Sequence, residues 1–243
     1  MGLFSMIANL KSPTKFVFVH INKTGGNSVN QALEPYGFKY AATEGYGHPD
    51  IKFPHSQHWD AHEYKLALGD NWDDYTKFAI VRNPWDRMLS QYRKNVCNPK
   101  SLSYVNASFR DWILDAFTND TSPDYEERTI EGLTHTNRRI LSPCADWITD
   151  DVGKLMVDYI VHFENLDLNC EELFEDLQLP IFELPELPQM RSNIRTHDGY
   201  FQKIQSYHEM YDHETQHIIE TKFAKDIEMF GYEFGNQWGA VTT

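Results

Sequence analysis

Phe16-Val17-Phe18-Val19-His20-Ile21-Asn22-Lys23-Thr24-Gly25-Gly26-Asn27-Ser28 is the stretch that decides how this chain folds. A short β-branched and aromatic run ending in a glycine turn reads as a buried strand, and Asn27 to Leu33 then suits a helix. Strand, Gly-Gly turn and helix start together expose consecutive backbone N–H groups and the positive end of a helix dipole, a natural seat for a phosphate-class anion. Gly25 and Gly26 let the backbone approach such an anion closely. Lys23 adds a point charge, and Thr24, Asn27 and Ser28 add side-chain donors. The same residues also suit an ordinary tight turn with a solvated lysine. They do not form a Walker loop, which places its Lys after the glycines, whereas Lys23 precedes them.

The pattern continues outward from this turn. Lys77 to Val81 and Val157 to Phe163 read as further buried strands, with Trp85 to Lys94 and Asp167 to Leu177 as the helices that follow. Pro84 suits a helix start because its φ is already helical. Asp212 can cap one long helix carrying Ile219, Phe223, Ile227 and Phe230 on one face, with Gly231 ending it. Strand–turn–helix units in series predict an α/β fold, a central parallel sheet flanked by helices. In such sheets ligands bind at the carboxyl ends of strands. There is no repeat or low-complexity linker, and Pro180 to Pro188 reads as an extended surface connection. The 243 residues are therefore expected to form a single domain.

A second motif, Arg82-Asn83-Pro84-Trp85-Asp86-Arg87-Met88-Leu89-Ser90-Gln91-Tyr92-Arg93, follows the second strand. Arg82 leaves the strand end and Ser90 lies two helical turns on, so that a guanidinium fork and a hydroxyl could grip one phosphate. An N-capped surface helix with ordinary ion pairs fits these residues too. In order and in context, Lys-Thr-Gly-Gly-x-Ser and Arg-Asn-Pro-Trp-Asp-Arg-x-x-Ser-x-Tyr-Arg resemble the signatures of sulfotransferases. The likeness is to the branch that includes carbohydrate sulfotransferases and soluble bacterial relatives, and it runs from about Lys15 to Phe234. It takes in Val157-Asp158-Tyr159-Ile160, Phe163-Glu164-Asn165-Leu166 and Asp226-Ile227-Glu228-Met229-Phe230-Gly231-Tyr232.

The resemblance implies a P-loop, nucleotide-kinase-like sheet and 3′-phosphoadenosine 5′-phosphosulfate (PAPS) as co-substrate, leaving adenosine 3′,5′-bisphosphate. It implies that Lys23, Thr24, Gly25, Gly26, Asn27 and Ser28 hold the 5′-phosphosulfate, and that Arg82 and Ser90 hold the 3′-phosphate. A loop at Arg191 to Tyr200 would help to enclose the nucleotide, with Arg195 as its contact. Asn22 stands where the family usually has Pro, and Asn27 where it usually has Thr; neither change removes a charge. No metal is implied.

Transfer to a hydroxyl needs a proton acceptor, and histidine is the best-matched side chain near neutral pH. With 11 histidines, composition alone cannot choose. Relatives often carry a His at the start of a short helix that ends in Gly before the second strand. His58 fits that position ahead of Gly69, with His62 one turn along and His55 just before. A solvent-facing His-rich segment remains the plainer reading. The implied chemistry is in-line transfer through a loose transition state, with Lys23 stabilising the bridging oxygen and His58 deprotonating the acceptor.

Two other readings stand beside it. One is a module of the same fold that binds a nucleotide or sugar ligand without turnover. The other is a zinc peptidase through His213-Glu214-Thr215-Gln216-His217, an H-E-x-x-H pattern with Glu233 or Asp226 as a guessed third ligand. Against the latter, Glu220 stands where the metzincin continuation needs Gly, and capping by Asp212 explains the same stretch as a helix start.

Charge and composition narrow the partners. The chain carries 22 Lys+Arg against 36 Asp+Glu, a formal charge of −14, which disfavours a nucleic-acid coat or a polybasic membrane anchor. Bases gather around the motifs: Met1 to Leu33 holds Lys11, Lys15 and Lys23 and no acid. An acidic body around a basic site repels polyanions and favours a neutral or weakly charged hydroxyl acceptor, be it carbohydrate, glycolipid or small metabolite. No apolar run approaches the ~18–20 residues of a membrane span, and Met1 to Lys15 lacks the order of a secretory signal. Cys97, Cys144 and Cys170 are far apart and odd in number, which suits free thiols in a reducing cytoplasm. The Trp residues are expected mostly in the core, and Arg138-Arg139 among local ion pairs.

Overall fold

The computed structural model describes residues 7–8, 15–33, 58–96, 107–118, 126–130, 133–137, 141–178, 193–195, 201–203 and 206–235. His55, Cys97, Arg138, Arg139, Trp238 and the Pro180 to Pro188 stretch lie outside the described residues. In chain order the elements begin β1 (Ile7–Ala8), β2 (Phe16–Val19), α1 (Gly26–Leu33), α2 (Ala61–Leu68), β3 (Thr76–Val81), α3 (Pro84–Val96) and α4 (Phe109–Thr118). They continue β4 (Glu126–Ile130), β5 (Leu133–Asn137), α5 (Ala145–Ile148), β6 (Tyr159–His162) and α6 (Leu166–Asp176). Last come β7 (Asn193–Arg195), β8 (Phe201–Lys203), α7 (His213–Lys222) and α8 (Ala224–Phe230). The chain falls into two compact units, Met1–Arg82 with Cys144–Met190, and Asn83–Pro143 with Arg191–Thr243.

The first unit is built on a sheet ordered β1-β2-β3-β6. β2, β3 and β6 run parallel, and β1 adds an antiparallel edge. All four residues of β2 are buried, as are Phe78 to Val81 of β3. Strands covered on both faces read as unbroken apolar runs, which is why the sequence discloses them. Phe18 stacks on Phe78 across the β2–β3 pair at 4.6 Å between ring centroids. Lys77 is the exception inside β3: its ammonium pairs with Asp158 at 3.1 Å and lies over the Trp72 ring. Asp158 also accepts from the Lys77 N–H, while its own N–H donates to the Lys77 carbonyl. The strand expected at Val157 to Phe163 is Tyr159–His162, because Phe163 already opens a 3-10 turn that runs to Asn165.

Asp60 caps α2: the Glu63 N–H donates to its carboxylate, and the Glu63 carboxylate accepts from the Asp60 N–H. Gly69, at φ +57°, terminates it. The helix thus ends where the sequence placed its stop but starts at Ala61, so His58 stands in the turn before the cap and not at the helix start.

The second unit combines helices α3, α4, α7 and α8 with two hairpins. The Asn83 side chain accepts from the N–H groups of Trp85 and Asp86 and so caps α3 ahead of Pro84. Arg87, fully buried, donates to the Ser142 carbonyl at 2.7 Å and lies over Phe223. Met88, Leu89, Trp112, Ile113, Ile219 and Phe223 supply buried apolar surface. The single long helix expected after Asp212 is two helices. Phe223, at φ −111° and ψ 23°, separates α7 from α8 while its N–H still closes on the Ile219 carbonyl. Asp212 caps α7 with Thr215, and Gly231, at φ +67°, ends α8 as expected. The nucleotide-covering loop expected at Arg191 to Tyr200 contains a strand: β7 pairs antiparallel with β8, with Arg195 opposite Phe201. β4 and β5 form another hairpin. Trp59, Trp72, Trp85, Trp112 and Trp147 are all buried, as expected of core residues.

Candidate active site

The turn between β2 and α1 is a tightly specified piece of backbone. Lys23 has φ +69° and Gly25 φ +86°, with Thr24 and Gly26 outside the left-handed region. Alternation in the sign of φ is the backbone pattern by which successive N–H groups can face one concavity. A left-handed conformation costs a residue with a Cβ roughly 1–2 kcal/mol, so Lys23 is held there by its surroundings. Thr24 is fully buried and its hydroxyl donates to the Ile21 carbonyl at 2.9 Å. The Ser28 N–H donates to the Gly25 carbonyl at 2.9 Å, and Ser28 is buried while Asn27 is exposed. The first N–H groups of α1 have no acceptor within their own helix.

Both glycines are required by what lies against them. A Cβ on Gly25 would come within 2.6 Å of the Phe163 ring, and a Cβ on Gly26 would collide with Cδ2 and Nε2 of His20. Phe163 also stacks on Arg82, whose guanidinium carbon lies 4.0 Å from the ring centroid. Arg82 in turn donates to the Lys23 carbonyl at 3.0 Å. Three chain segments, the ends of β2, β3 and β6, therefore converge on one turn and place the charges of Lys23 and Arg82 beside it.

His58 and His62 are separated by their hydrogen bonds. His58 Nδ1 lies 3.0 Å from the His20 carbonyl oxygen. A carbonyl only accepts, so Nδ1 carries the hydrogen, and the neutral ring keeps its lone pair on Nε2. His62 uses Nε2 to donate to the Thr149 carbonyl at 3.0 Å, tying α2 to the segment after α5. Each neutral ring thus keeps a lone pair on its other nitrogen; what differs is the place, since His58 is tied to the residue that follows β2, beside the turn, and His62 to the segment after α5.

His20 was not singled out as a functional residue by its sequence. Its ring is buried, stacks on Phe18 at 5.3 Å and meets the His58 ring at 4.8 Å. Burial, then the neighbouring His58 and Lys23, hold its pKa well below the usual 6.5. The only sequence signal was a His at the end of an otherwise apolar strand. Burial also lowers His162 at the end of β6. The linkage has a definite sign. The unfolded chain takes up these protons near pH 6.5 and the folded chain does not, so stability is complete above that pH and falls as pH drops below it. The melting temperature is accordingly expected to decline between pH 7 and 5, with a shallower slope in His20→Phe. An unchanged slope would remove His20 from that account.

The remaining expected residues lie in the second unit. Ser90, partly exposed, is on α3, and Arg195 is on β7. His213 and His217 are exposed on α7, where Glu214 pairs with Arg110 and His217 lies 3.7 Å from Glu220. Among the described residues, no group of three or more His, Cys, Asp or Glu side chains is placed to hold a metal ion. Nor is any described helix long and apolar enough to cross a membrane.

The residue pattern agrees with comparison across known proteins. A model described as the sulfotransferase family matches residues 8–233. Searches of curated proteins and of solved structures each found no match.

Proposed function

This chain belongs to the sulfotransferase family, and from that premise we propose that it transfers the sulfuryl group of PAPS to the hydroxyl of an acceptor. The observation that carries the proposal is the β2–α1 turn: left-handed Lys23, its carbonyl held by Arg82, and two glycines closed off by Phe163 and His20. A turn with no room for a side chain, set between a strand end and a helix N-terminus, fits the terminal anionic group of a nucleotide. On this reading the fold is the P-loop, nucleotide-kinase-like one and the 243 residues act as a single domain.

PAPS supplies the sulfuryl group to be transferred. The backbone of residues 24–28 orients the donor end, Thr24 and Ser28 brace that backbone, and Asn27 contributes a donor. Lys23 places positive charge where the bridging oxygen gains negative charge. His58, with its hydrogen fixed on Nδ1, accepts the acceptor's proton at Nε2. Arg82 is assigned to the 3′-phosphate; Ser90 and Arg195 join it there on motif resemblance alone. No metal is needed for any of these roles. The wide spacing and odd number of the cysteines, Cys97, Cys144 and Cys170, favour a reducing, cytoplasmic setting.

The acidic balance of the chain favours a neutral or weakly charged hydroxyl acceptor, a saccharide, glycolipid or small metabolite. The test is release of adenosine 3′,5′-bisphosphate from PAPS across a panel of acceptors. Neutral hydroxyl acceptors should stimulate release, whereas heavily sulfated polysaccharides should not. Preferential use of the sulfated chains would overturn the acceptor assignment. Saturable bisphosphate binding without sulfate transfer to any acceptor would point to a non-catalytic binding module instead.

A further inference from the structure

His20, the buried residue that follows β2, makes contacts that its place there does not require. Its ring is enclosed by the Phe18 ring on one side, the His58 ring on another and the backbone of Gly26 on a third. Its Nδ1 is buried and makes no hydrogen bond among the described residues, an arrangement that is unfavourable for a polar group. A residue chosen for packing alone would be Phe or Leu at this position. Its carbonyl, meanwhile, receives the Nδ1–H of His58.

We propose that His20 is a positioning residue for sulfuryl transfer, its imidazole acting as the spacer that holds the ring of His58 and the Gly25–Gly26 turn in fixed register. This rests on the reading of that turn as the donor site and of His58 as the base. Backbone and side chain act together. The carbonyl selects the tautomer of His58, and the ring supports both the His58 ring and the backbone of the turn. A movement of the turn is therefore transmitted to the base through one planar group. Phe18, Ile21, Lys23 and His58 surround His20 in sequence or in space, and Lys23 and His58 are the charged or titratable groups that act on it. A neutral His20 lets His58 become an imidazolium beside it without a second buried cation.

The test uses the full chain labelled with ¹⁵N in the histidine rings, with His58 assigned by its loss in His58→Ala. Wild type is expected to show His58 as the Nδ1–H tautomer. Gly26→Ala pushes the His20 ring and is expected to move the His58 nitrogens towards the average of the two tautomers, although residue 26 does not bond to residue 58. His20→Ala removes the obstacle. In that background Gly26→Ala is expected to leave both the His58 shifts and the melting temperature where His20→Ala alone puts them. His20→Phe, which restores a ring, should return His58 to the Nδ1–H tautomer.

Two results overturn the proposal: His58 shifts unaffected by both Gly26→Ala and His20→Ala, or equal and additive damage from the two substitutions. If Gly26→Ala does not fold, recovery of folding in the His20→Ala, Gly26→Ala double variant supports the spacer, and failure to recover contradicts it. Adenosine 3′,5′-bisphosphate is titrated in the same samples. If it moved no resonance while the coupling persisted, the donor-site reading would fail and the His20 linkage would stand.

Discussion

Lys23→Ala is expected to abolish nearly all sulfate transfer while leaving a folded protein. Lys23 is the one lysine in the turn, at the end of β2 where the motif resemblance places the donor. Removing a preorganised charge or donor from a developing anion costs on the order of 10²–10³ in turnover. Its backbone makes a second, opposite prediction. At φ +69° any residue with a Cβ is strained, and glycine relieves roughly 1–2 kcal/mol of that strain. Lys23→Gly is expected to be as inactive as Lys23→Ala but more stable by about 1 kcal/mol. Chemical denaturation of the two variants, read beside PAPS turnover, separates charge from conformation. Should Lys23→Ala keep wild-type turnover, the side chain has no part in the chemistry. Arg82→Ala carries a double loss, since it removes a charge and also the donor to the Lys23 carbonyl.

The second large effect is the contrast between two histidines four residues apart. His58→Ala is expected to lower turnover by about 10²–10⁴, the usual range for loss of a positioned base, with bisphosphate affinity little changed. His62→Ala removes the bond to the Thr149 carbonyl. It should cost about 1 kcal/mol of stability and leave turnover nearly intact once the protein is folded. Steady-state rates and unfolding curves for the pair decide the matter. The reverse pattern, a catalytic His62 and a silent His58, would contradict the choice of His58, which rests on its place beside the turn.

What was legible in the sequence follows from where each signal is stored. β2 and β3 announce themselves because strands buried on both faces are unbroken apolar runs, whereas β6 buries only Val161 of its four residues; the caps at Asp212 and Gly231 are local chemistry. The break at Phe223 is not local. Ile219, Phe223, Ile227 and Phe230 keep helical spacing straight through it, with no Gly or Pro to mark it, because one buried aromatic side chain serves both helices. β4, β5, β7 and β8 lack the continuous apolar character that marks β2 and β3. At the site, Lys23, Arg82 and the glycines were visible as a motif, but their reasons were not. Gly25 is required by Phe163 and Gly26 by His20, and neither pairing has a sequence pattern that could disclose it. The motif's second arginine, Arg87, proves to be a buried tie to Ser142.

The most direct test of the account is a titration of the backbone amides with adenosine 3′,5′-bisphosphate, followed in wild type and in Arg82→Ala. The amides of Thr24 to Ser28 are predicted to shift saturably, with affinity at least tenfold weaker in Arg82→Ala, about 1.4 kcal/mol. Millimolar bisphosphate that leaves those five amides unmoved in the wild-type protein would contradict the assignment of the β2–α1 turn as the donor site.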